Sequence, residues 1–366
     1  MNALGSAGTG PRANSASNTT MMTGMVKGYP TWRGRRVRNA AAVCALLLGN
    51  AACPAQKTDL LRPVDDIPLP GGSTRFDYQS LDPQTGRLYV AHMGDDALLV
   101  FDTRSEKVIA HLDGFPRVRG VLVVPSIKKV YASAAGTHEV VVVDAVTLKI
   151  IKRVAGVKSP DGLAWSPEKH RLFVSDEGGE AEFVIDTDAD EPVATIAMGG
   201  EVGNTQYDPT SHLMYACIQT TNEFVAIDPT RNAITARFDL QGARHPHGFV
   251  IDDAHRRAYI ACEGNSRLLV FDLESHTVVD SFAVGRVPDV LAFDGGLNRL
   301  YVAAEMGPTT VFHWDDAMKK LMLDGRVDVG ENAHSVAVDA RTHRVYFPLK
   351  SGPVLRVLRP VEAGKP

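Results

Sequence analysis

A short segment with a fixed order of polar and apolar positions recurs along the chain. It usually begins with Arg or Lys and continues with an apolar, an aromatic, an apolar and a small residue, as in RLYVA, KVYAS and RLFVS. The steps between successive aromatic residues are 42, 42, 42, 44, 42 and 45 residues. A period in this range is typical of folds that copy one supersecondary unit. The seven aromatic residues are Tyr89, Tyr131, Phe173, Tyr215, Tyr259, Tyr301 and Tyr346.

Within each repeat, short apolar runs alternate with polar turns. The fifth repeat contains the runs GFVID, AYIAC, RLLVFD and TVVDSFAV, which are separated by DAHRR, EGNS and LESH. Such β-branched and aromatic runs predict antiparallel strands, and no window has the 3.6-residue apolar period of a helix. Four strands in each of seven units predict an all-β, seven-bladed β-propeller. The third run ends in an aspartate in five repeats, at Asp102, Asp144, Asp186, Asp228 and Asp272, whereas repeats six and seven have Trp314 and Arg359 there.

The two ends of the repeat region complement each other. The seventh repeat has three strand-like runs, HSVAVDA, RVYFP and VLRVLRP, before Pro366. The segment RPVDDIPLPGG precedes the first repeat and has the pattern of a fourth strand with its loop. We therefore expect a strand at about 62–70 to complete the last blade and to remove an open sheet edge. The predicted propeller spans 62–366, with blades at about 73–114, 115–156, 157–198, 199–241, 242–284, 285–328, and 329–359 plus 62–70.

The N-terminal segment predicts export. Residues 1–52 contain six basic and no acidic residues, and WRGRRVRN precedes the apolar run AAAVCALLLG and the small residues of NAACPAQ. An apolar run of about ten residues is too short to span a bilayer and is typical of a secretory signal peptide. We predict a disordered start and signal peptide at 1–52, a linker at 53–61, no transmembrane segment, and a periplasmic or secreted protein. Cys53 is a candidate for lipidation and hence for a lipid anchor.

Charge and cysteine content narrow the function classes. The chain of 366 residues has a formal charge of −4, and without the six basic residues of 1–52 the remainder carries −4 − 6 = −10. A body this acidic does not predict general nucleic-acid binding, which needs a basic face. Cys217 and Cys262, in adjacent repeats, are predicted to be two buried thiols.

The repeats resemble those of the YVTN-type β-propeller family. The matching elements are the RLYVA-type strand, the VxD strand, and a loop present here as GVKSPDG, GARHPHG and GRVPDV. The resemblance implies a seven-bladed propeller that is secreted or periplasmic, and it implies no single activity. Similar seven-bladed propellers include lactonases, lyases, quinoprotein subunits and binding scaffolds, so the fold does not decide the function.

Two sets of loops are expected to meet at one mouth of the central channel. Loops between the fourth strand and the next first strand share a face with loops between the second and third strands. Ligand-binding residues concentrate on loops held by a rigid scaffold, although an Asp here can also cap a turn and a Glu can be solvated. Positions twelve before and four after the repeat aromatics predict ligand-binding residues Asp77, Arg119, Asp161, Asn204 (beside Gly203), His247, Asp289 and His334, with Glu177, Gln219, Glu263 and Glu305.

The chemistry of these residues leaves two functions open. His247, His334 and Glu263 are predicted ligands for a divalent metal ion if they converge. We expect His245 to point away from His247, because Pro246 favours an extended path. The chain lacks the GxSxG, HExxH, phosphate-loop and CxxCH motifs. We therefore favour a non-enzymatic binding module or scaffold for a small ligand, metal ion or protein partner. The alternative is a lactonase- or lyase-like enzyme that uses His247, Glu263, Asp289 and His334. Neither the ligand nor the oligomeric state follows from the sequence.

Overall fold

The computed structural model describes residues 59–361, which form seven four-stranded antiparallel sheets. The predicted all-β, seven-bladed propeller is thereby confirmed. The predicted signal peptide and Cys53 lie outside the described residues. The described helical structure consists of four single 3-10 turns, Met93–Asp95, Pro125–Ile127, Glu177–Gly179 and Glu263–Asn265. Among residues 59–361, no helix is long and apolar enough to cross a membrane.

Each blade contains four strands in order from the channel to the outer edge. The innermost strands are β2 (Gln79–Asp82), β6 (Val118–Val124), β10 (Pro160–Ser166), β14 (Val202–Asp208), β18 (Pro246–Asp252), β22 (Arg286–Asp294) and β26 (Ala337–Asp339). The second strands are β3 (Arg87–His92), β7 (Lys129–Ala134), β11 (Arg171–Asp176), β15 (Leu213–Ile218), β19 (Arg257–Cys262), β23 (Arg299–Met306) and β27 (Arg344–Leu349). The third strands are β4 (Ala97–Asp102), β8 (Glu139–Asp144), β12 (Ala181–Asp186), β16 (Glu223–Asp228), β20 (Arg267–Asp272), β24 (Thr309–Asp315) and β28 (Val354–Pro360). The outer strands are β5 (Lys107–Asp113), β9 (Ile150–Ala155), β13 (Glu191–Ala197), β17 (Ala233–Asp239), β21 (Thr277–Ala283), β25 (Lys320–Val327) and β1 (Leu61–Pro68).

Strand β1 closes the propeller as the sequence predicted. It pairs antiparallel with β28, from Leu61 opposite Pro360 to Pro68 opposite Val354, and so becomes the outer strand of the last blade. The strand ends at Pro68, two residues before the predicted end. Each innermost strand contacts the innermost strand of the next blade, and β26 contacts β2, so the ring is continuous.

The hydrophobic core lies between the blades. Side chains alternate along a strand, so each sheet packs against both of its neighbours. In β3, Tyr89 and Ala91 pack against the second blade, whereas Leu88 and Val90 pack against the last blade. All seven repeat aromatics are at most 1% exposed, which explains why the repeat requires a large apolar ring at that position.

The aspartate that ends the third strand stabilises the following turn. In the fifth blade, Asp272 Oδ1 accepts hydrogen bonds from the backbone N–H groups of Glu274 (2.8 Å) and Ser275 (2.9 Å). An Asp side chain that bonds the backbone two and three residues later is a common turn device. In the sixth blade, Asp315 does the same one residue beyond the expected position, with Ala317 N–H at 2.9 Å.

The two cysteines within residues 59–361 are free, as predicted. Cys217 and Cys262 are both buried, and both belong to the apolar cluster between the fourth and fifth blades. Burial raises the pKa of the Cys262 thiol to about 12. These thiols therefore act as small core side chains and not as thiolates.

Candidate functional site

Bulges at the start of the innermost strands direct the predicted residues into the channel mouth. In β18, Pro246 pairs with Cys262 and Phe249 pairs with Ile260, so the inner strand has one extra residue in this interval. The same shift occurs in β10 and β22, in the intervals that contain Asp161 and Asp289. A bulge takes residues out of the ladder and re-aims their side chains. The recurring loop motif therefore encodes a bulge.

The glycine that follows the bulged residue allows adjacent blades to approach closely. A Cβ atom on Gly248 would lie 1.8 Å from the carbonyl oxygen of Asp289, and one on Gly120 would lie 2.0 Å from that of Asp161. Neither distance is compatible with a side chain. The glycine thus sets the spacing between neighbouring residues of the mouth.

The loops between second and third strands are attached to the same region by backbone hydrogen bonds. Glu263 N–H donates to the carbonyl of His245 at 2.9 Å, and Gln219 N–H donates to that of Glu201 at 2.8 Å. Glu177 N–H makes the equivalent bond to Ser159 at 3.1 Å. The two predicted sets of residues therefore belong to one rigid rim.

Most of the predicted ligand-binding residues line one cavity of about 370 Å³ at this mouth. Asn204 instead lines a neighbouring cavity along the inner strands, with Trp165, Gln206 and Phe249. His334 lies beside the mouth cavity, where its ring is close to Asp289 and Glu305. The predicted residues that line the mouth cavity are Asp77, Arg119, Asp161, Glu177, Gln219, His247, Glu263, Asp289 and Glu305.

The mouth is strongly acidic. Its lining contains seven carboxylates and two arginines, Arg75 and Arg119. Arg75 Nη1 contacts Glu305 Oε1 at 2.6 Å, and Arg119 forms an ion pair with Glu177. Arg75 also lies 3.6 Å from Asp77 and 3.9 Å from Asp289, so the two guanidinium groups contact four of the seven carboxylates and are outnumbered by them. Burial, together with the charges of Asp161 and Asp289, raises the pKa of Asp77 well above its usual range.

His247 lies at the centre of the acidic groups and is only 7% exposed. Its Nδ1 is 3.1 Å from Asp289 Oδ1 and 3.6 Å from Glu263 Oε1, while Nε2 is 3.5 Å from Asp161 Oδ2. Burial alone would lower the pKa of His247, but the hydrogen bonds that its ring donates to Asp161 and Asp289 outweigh burial and raise the pKa well above its usual value. The ring is therefore an imidazolium that neutralises part of the acidic mouth.

Glu263 and His334 have environments that differ from that of His247. Burial raises the pKa of Glu263 to about 7, with further increases from Asp289 and Glu305 and an opposing effect of His247. His334 is 2% exposed, and burial lowers its pKa. Its Nδ1 lies 3.1 Å from the Asn332 carbonyl, and its Nε2 has no hydrogen-bond partner.

Three groups of side chains in the described part of the chain have the spacing of metal ligands. They are Asp161–Glu177–His247, His247–Glu263–Asp289 and Asp289–Glu305–His334, and within each group the ligand atoms lie within 4.8 Å of one another. The three predicted ligands His247, His334 and Glu263 thus fall in two adjoining groups that share Asp289. They do not form one group by themselves.

Comparisons with known proteins identify the fold. The chain is similar to a structure of Kuenenia stuttgartiensis hydrazine synthase, with a TM-score of 0.69 and 17% identity over 86% of this chain and 99% of that chain. It is also similar to a chain of a mitotic checkpoint complex, with a TM-score of 0.71 and 11% identity over 88% and 99%. For the WD40 repeats of RRP9 the TM-score is 0.69, with 9% identity over 83% and 98%.

The chain has the WD40-like β-propeller fold. Sequence identities this low support a shared fold and do not support a shared function. The chain matches no protein-family model, and no curated protein matches it. Membership of the YVTN-type family therefore stays a prediction.

Four residues of the mouth were missed by counting from the repeat aromatics: Arg75, Tyr78, Glu201 and His245. Arg75 and Glu201 lie two residues before a counted position, where an extended chain returns a side chain to the same side, so the period of two was the signal that could have found them. The expectation for His245 was wrong. It has φ of +50° instead of the extended path expected before proline, and it lines the same cavity as His247.

Proposed function

We propose that this chain is an exported binding module that holds a small positively charged ligand, either a metal ion or an organic cation, at the acidic mouth of its channel. The observation that carries the proposal is the excess of carboxylates over arginines in a largely buried rim. Burial and, after it, the charges of Asp161 and Asp289 raise the pKa of Asp77, and a bound cation would offset the repulsion among these carboxylates. The rigid loops support a preformed site.

Export is the second part of the proposal and rests on the N-terminal sequence. The basic segment WRGRRVRN and the apolar run that follows it support a signal peptide. A periplasmic or secreted location fits a module that encounters free cations or small molecules. Cys53 is the candidate for a lipid anchor.

The proposed function is tested by calorimetric titration of the purified protein with Zn²⁺, Mn²⁺, Ca²⁺ and 1,4-diaminobutane, each alone. We expect at least one of them to bind, and Asp289→Asn to weaken that binding by at least about tenfold, because Asp289 contacts both His247 and Arg75. The control is Asp188→Asn, which removes an exposed carboxylate in the turn between β12 and β13 and should leave binding unchanged. Absence of binding by all four cations would refute the proposal.

A second candidate function is supported by Glu263. Its pKa of about 7 and its position 3.6 Å from the His247 ring are suitable for a general acid or base at neutral pH. A lactonase- or lyase-like enzyme would hydrolyse or cleave a small ester-type substrate with this pair. A panel of small lactones tests it: turnover that Glu263→Gln abolishes supports the enzyme, and turnover unchanged in that variant contradicts the role of Glu263.

A further inference from the structure

We propose that one divalent transition-metal ion binds at the mouth between His247 Nδ1 and the carboxylates of Glu263 and Asp289, with Asp161 orienting the imidazole from the other side. This inference rests on the proposed function and narrows its cation to a metal ion in one group of ligands. The three side chains come from two adjacent blades, the fifth and the sixth.

The distances between the ligand atoms match those of metal coordination. Metal–nitrogen and metal–oxygen bonds of about 2.0–2.2 Å place neighbouring ligand atoms about 3.0–3.5 Å apart. His247 Nδ1 is already 3.1 Å from Asp289 Oδ1 and 3.6 Å from Glu263 Oε1. An ion can therefore replace the Nδ1 proton with little movement of the side chains.

The other two groups are less suitable because an arginine already holds one of their carboxylates. Glu177 pairs with Arg119, and Glu305 pairs with Arg75. A metal ion there would have to displace a guanidinium or lie beside it. The middle group has less of this competition, because the one ion pair of Glu263 in the described part of the chain is with His247 and the contact of Asp289 with Arg75 is long, at 3.9 Å.

Asp161 supplies the outer contact that metal-binding histidines usually have. Its Oδ2 lies 3.5 Å from His247 Nε2, on the side of the ring away from Glu263 and Asp289. A carboxylate on one ring nitrogen fixes the tautomer and leaves the other nitrogen as the metal ligand. The arrangement carboxylate–imidazole–metal is thus prepared by residues of the third and fifth blades.

His334 provides an independent observation at the same carboxylate. Its Nδ1 faces the Asn332 carbonyl, which can only accept, so Nδ1 carries the proton and Nε2 carries a lone pair. Nε2 is buried without a donor from the protein, although the ring lies in a group with Asp289 and Glu305. A cation can interact favourably with both the imidazole lone pair and the carboxylates that face it, whereas an anion cannot.

The ligand types indicate the class of metal. One imidazole nitrogen with two carboxylates suits Zn²⁺, Mn²⁺, Co²⁺ or Ni²⁺, whereas Ca²⁺ and Mg²⁺ prefer oxygen ligands alone. We expect Zn²⁺ to bind at one site per chain and Ca²⁺ to bind at least about tenfold more weakly.

The test compares Zn²⁺ binding by the chelator-treated protein and four variants. His247→Ala and Glu263→Gln each remove a ligand and should weaken binding by at least about tenfold, and Asp161→Asn should weaken it about 10- to 100-fold through the outer contact. Glu168→Gln is the matched control, because Glu168 is exposed in the turn between β10 and β11, does not line the mouth cavity, and loses the same charge. We expect a change of less than about threefold for it.

Zinc-edge X-ray absorption of the wild-type protein loaded with Zn²⁺ is a second measurement, which needs no variant. We expect it to detect a nitrogen ligand of the metal. The Glu263 side chain is 28% exposed, so we expect Glu263→Gln to keep the fold even if His247→Ala does not. Circular dichroism checks the fold of both variants. Equal losses of Zn²⁺ binding in Glu168→Gln and Glu263→Gln would overturn the site. If the protein bound 1,4-diaminobutane but neither Zn²⁺ nor Mn²⁺, the metal inference would be overturned and the proposed function would stand. If it bound none of the cations, both would be overturned.

Discussion

At the scale of single residues, the chemistry of this protein depends on carboxyl groups placed where water is scarce. In the mouth, Asp289 keeps a low pKa despite burial because the hydrogen bond and charge of His247 outweigh desolvation. Asp77 has a raised pKa, because burial and the charges of Asp161 and Asp289 outweigh its 3.6 Å contact with Arg75. The same type of side chain is thus an anion in one position and resists ionisation in another, and this difference is set by the neighbours.

Glu182 extends the contrast into the core between the third and fourth blades. It is 0% exposed, its Oε1 accepts a hydrogen bond from Thr205, and its Oε2 has no partner. Burial raises its pKa to about 8. At neutral pH the carboxyl is therefore protonated in the folded protein and ionised in the unfolded chain.

We predict that Glu182→Gln flattens the pH dependence of stability. Between pH 4.5 and about 8 the folded state holds a proton that the unfolded state lacks, so the free energy of unfolding falls by up to ~1.4 kcal/mol per pH unit as the pH rises. A glutamine has nothing to ionise, so the variant should be the more stable protein at pH 8. Urea unfolding of both proteins at pH 5, 6, 7 and 8 measures the difference. Parallel profiles would contradict the assignment.

At the scale of elements, the bulge in five of the seven innermost strands connects sequence to site. Proline begins the strand in β10 and β18 and is the third residue of β22; in all three the next residue leaves the ladder, and in β10 and β18 glycine follows. In β18 these are Pro246, His247 and Gly248. The motif that looked like a histidine pair therefore mainly determines the backbone bulge, and His247 is the residue in it that supplies a functional side chain.

We predict that Gly248→Ala is destabilising by about 1–3 kcal/mol, because the new methyl group would overlap the Asp289 carbonyl oxygen and force the two blades apart. The control is Gly295→Ala, in a turn where an added Cβ meets no atom within 4 Å. That change should alter the free energy of unfolding by no more than about 0.5 kcal/mol. Chemical denaturation measures both, and a similar cost for the two variants would refute the close-approach explanation.

At the scale of the whole molecule, closure by β1 determines whether seven blades behave as one ring. The strand brings Leu61 into the cluster between the sixth and seventh blades and Ile67 into the cluster between the seventh and first. Without it, β28 would present an open edge to other chains. One strand therefore contributes to two of the seven inter-blade cores.

We predict that Ile67→Ala lowers the free energy of unfolding by about 2–4 kcal/mol, because it removes buried apolar surface and leaves a cavity at the closure. Val64 lies on the same strand but is 38% exposed, so Val64→Ala should cost less than about 1 kcal/mol. Urea unfolding monitored by tryptophan fluorescence compares them. If the two variants lost the same stability, the closure would not depend on this inward-facing side chain.

The repeat period predicted the blade count, the closing strand and the positions of most mouth residues, since these depend on local pattern copied seven times. It did not predict Arg75 or His245 as lining residues, because counting one position per repeat ignored the neighbour two residues away.

By itself, then, the sequence determined an all-β ring, the strand that closes it and the face on which polar side chains gather. Only the tertiary structure decided which of those side chains meet. His247 faces Asp161 two blades away, and Arg75 reaches Glu305 across the closure of the ring. Such pairs join residues about 86 and 230 positions apart, so no local pattern encodes them. They depend on side-chain reach across the channel, which exists only after the ring has closed.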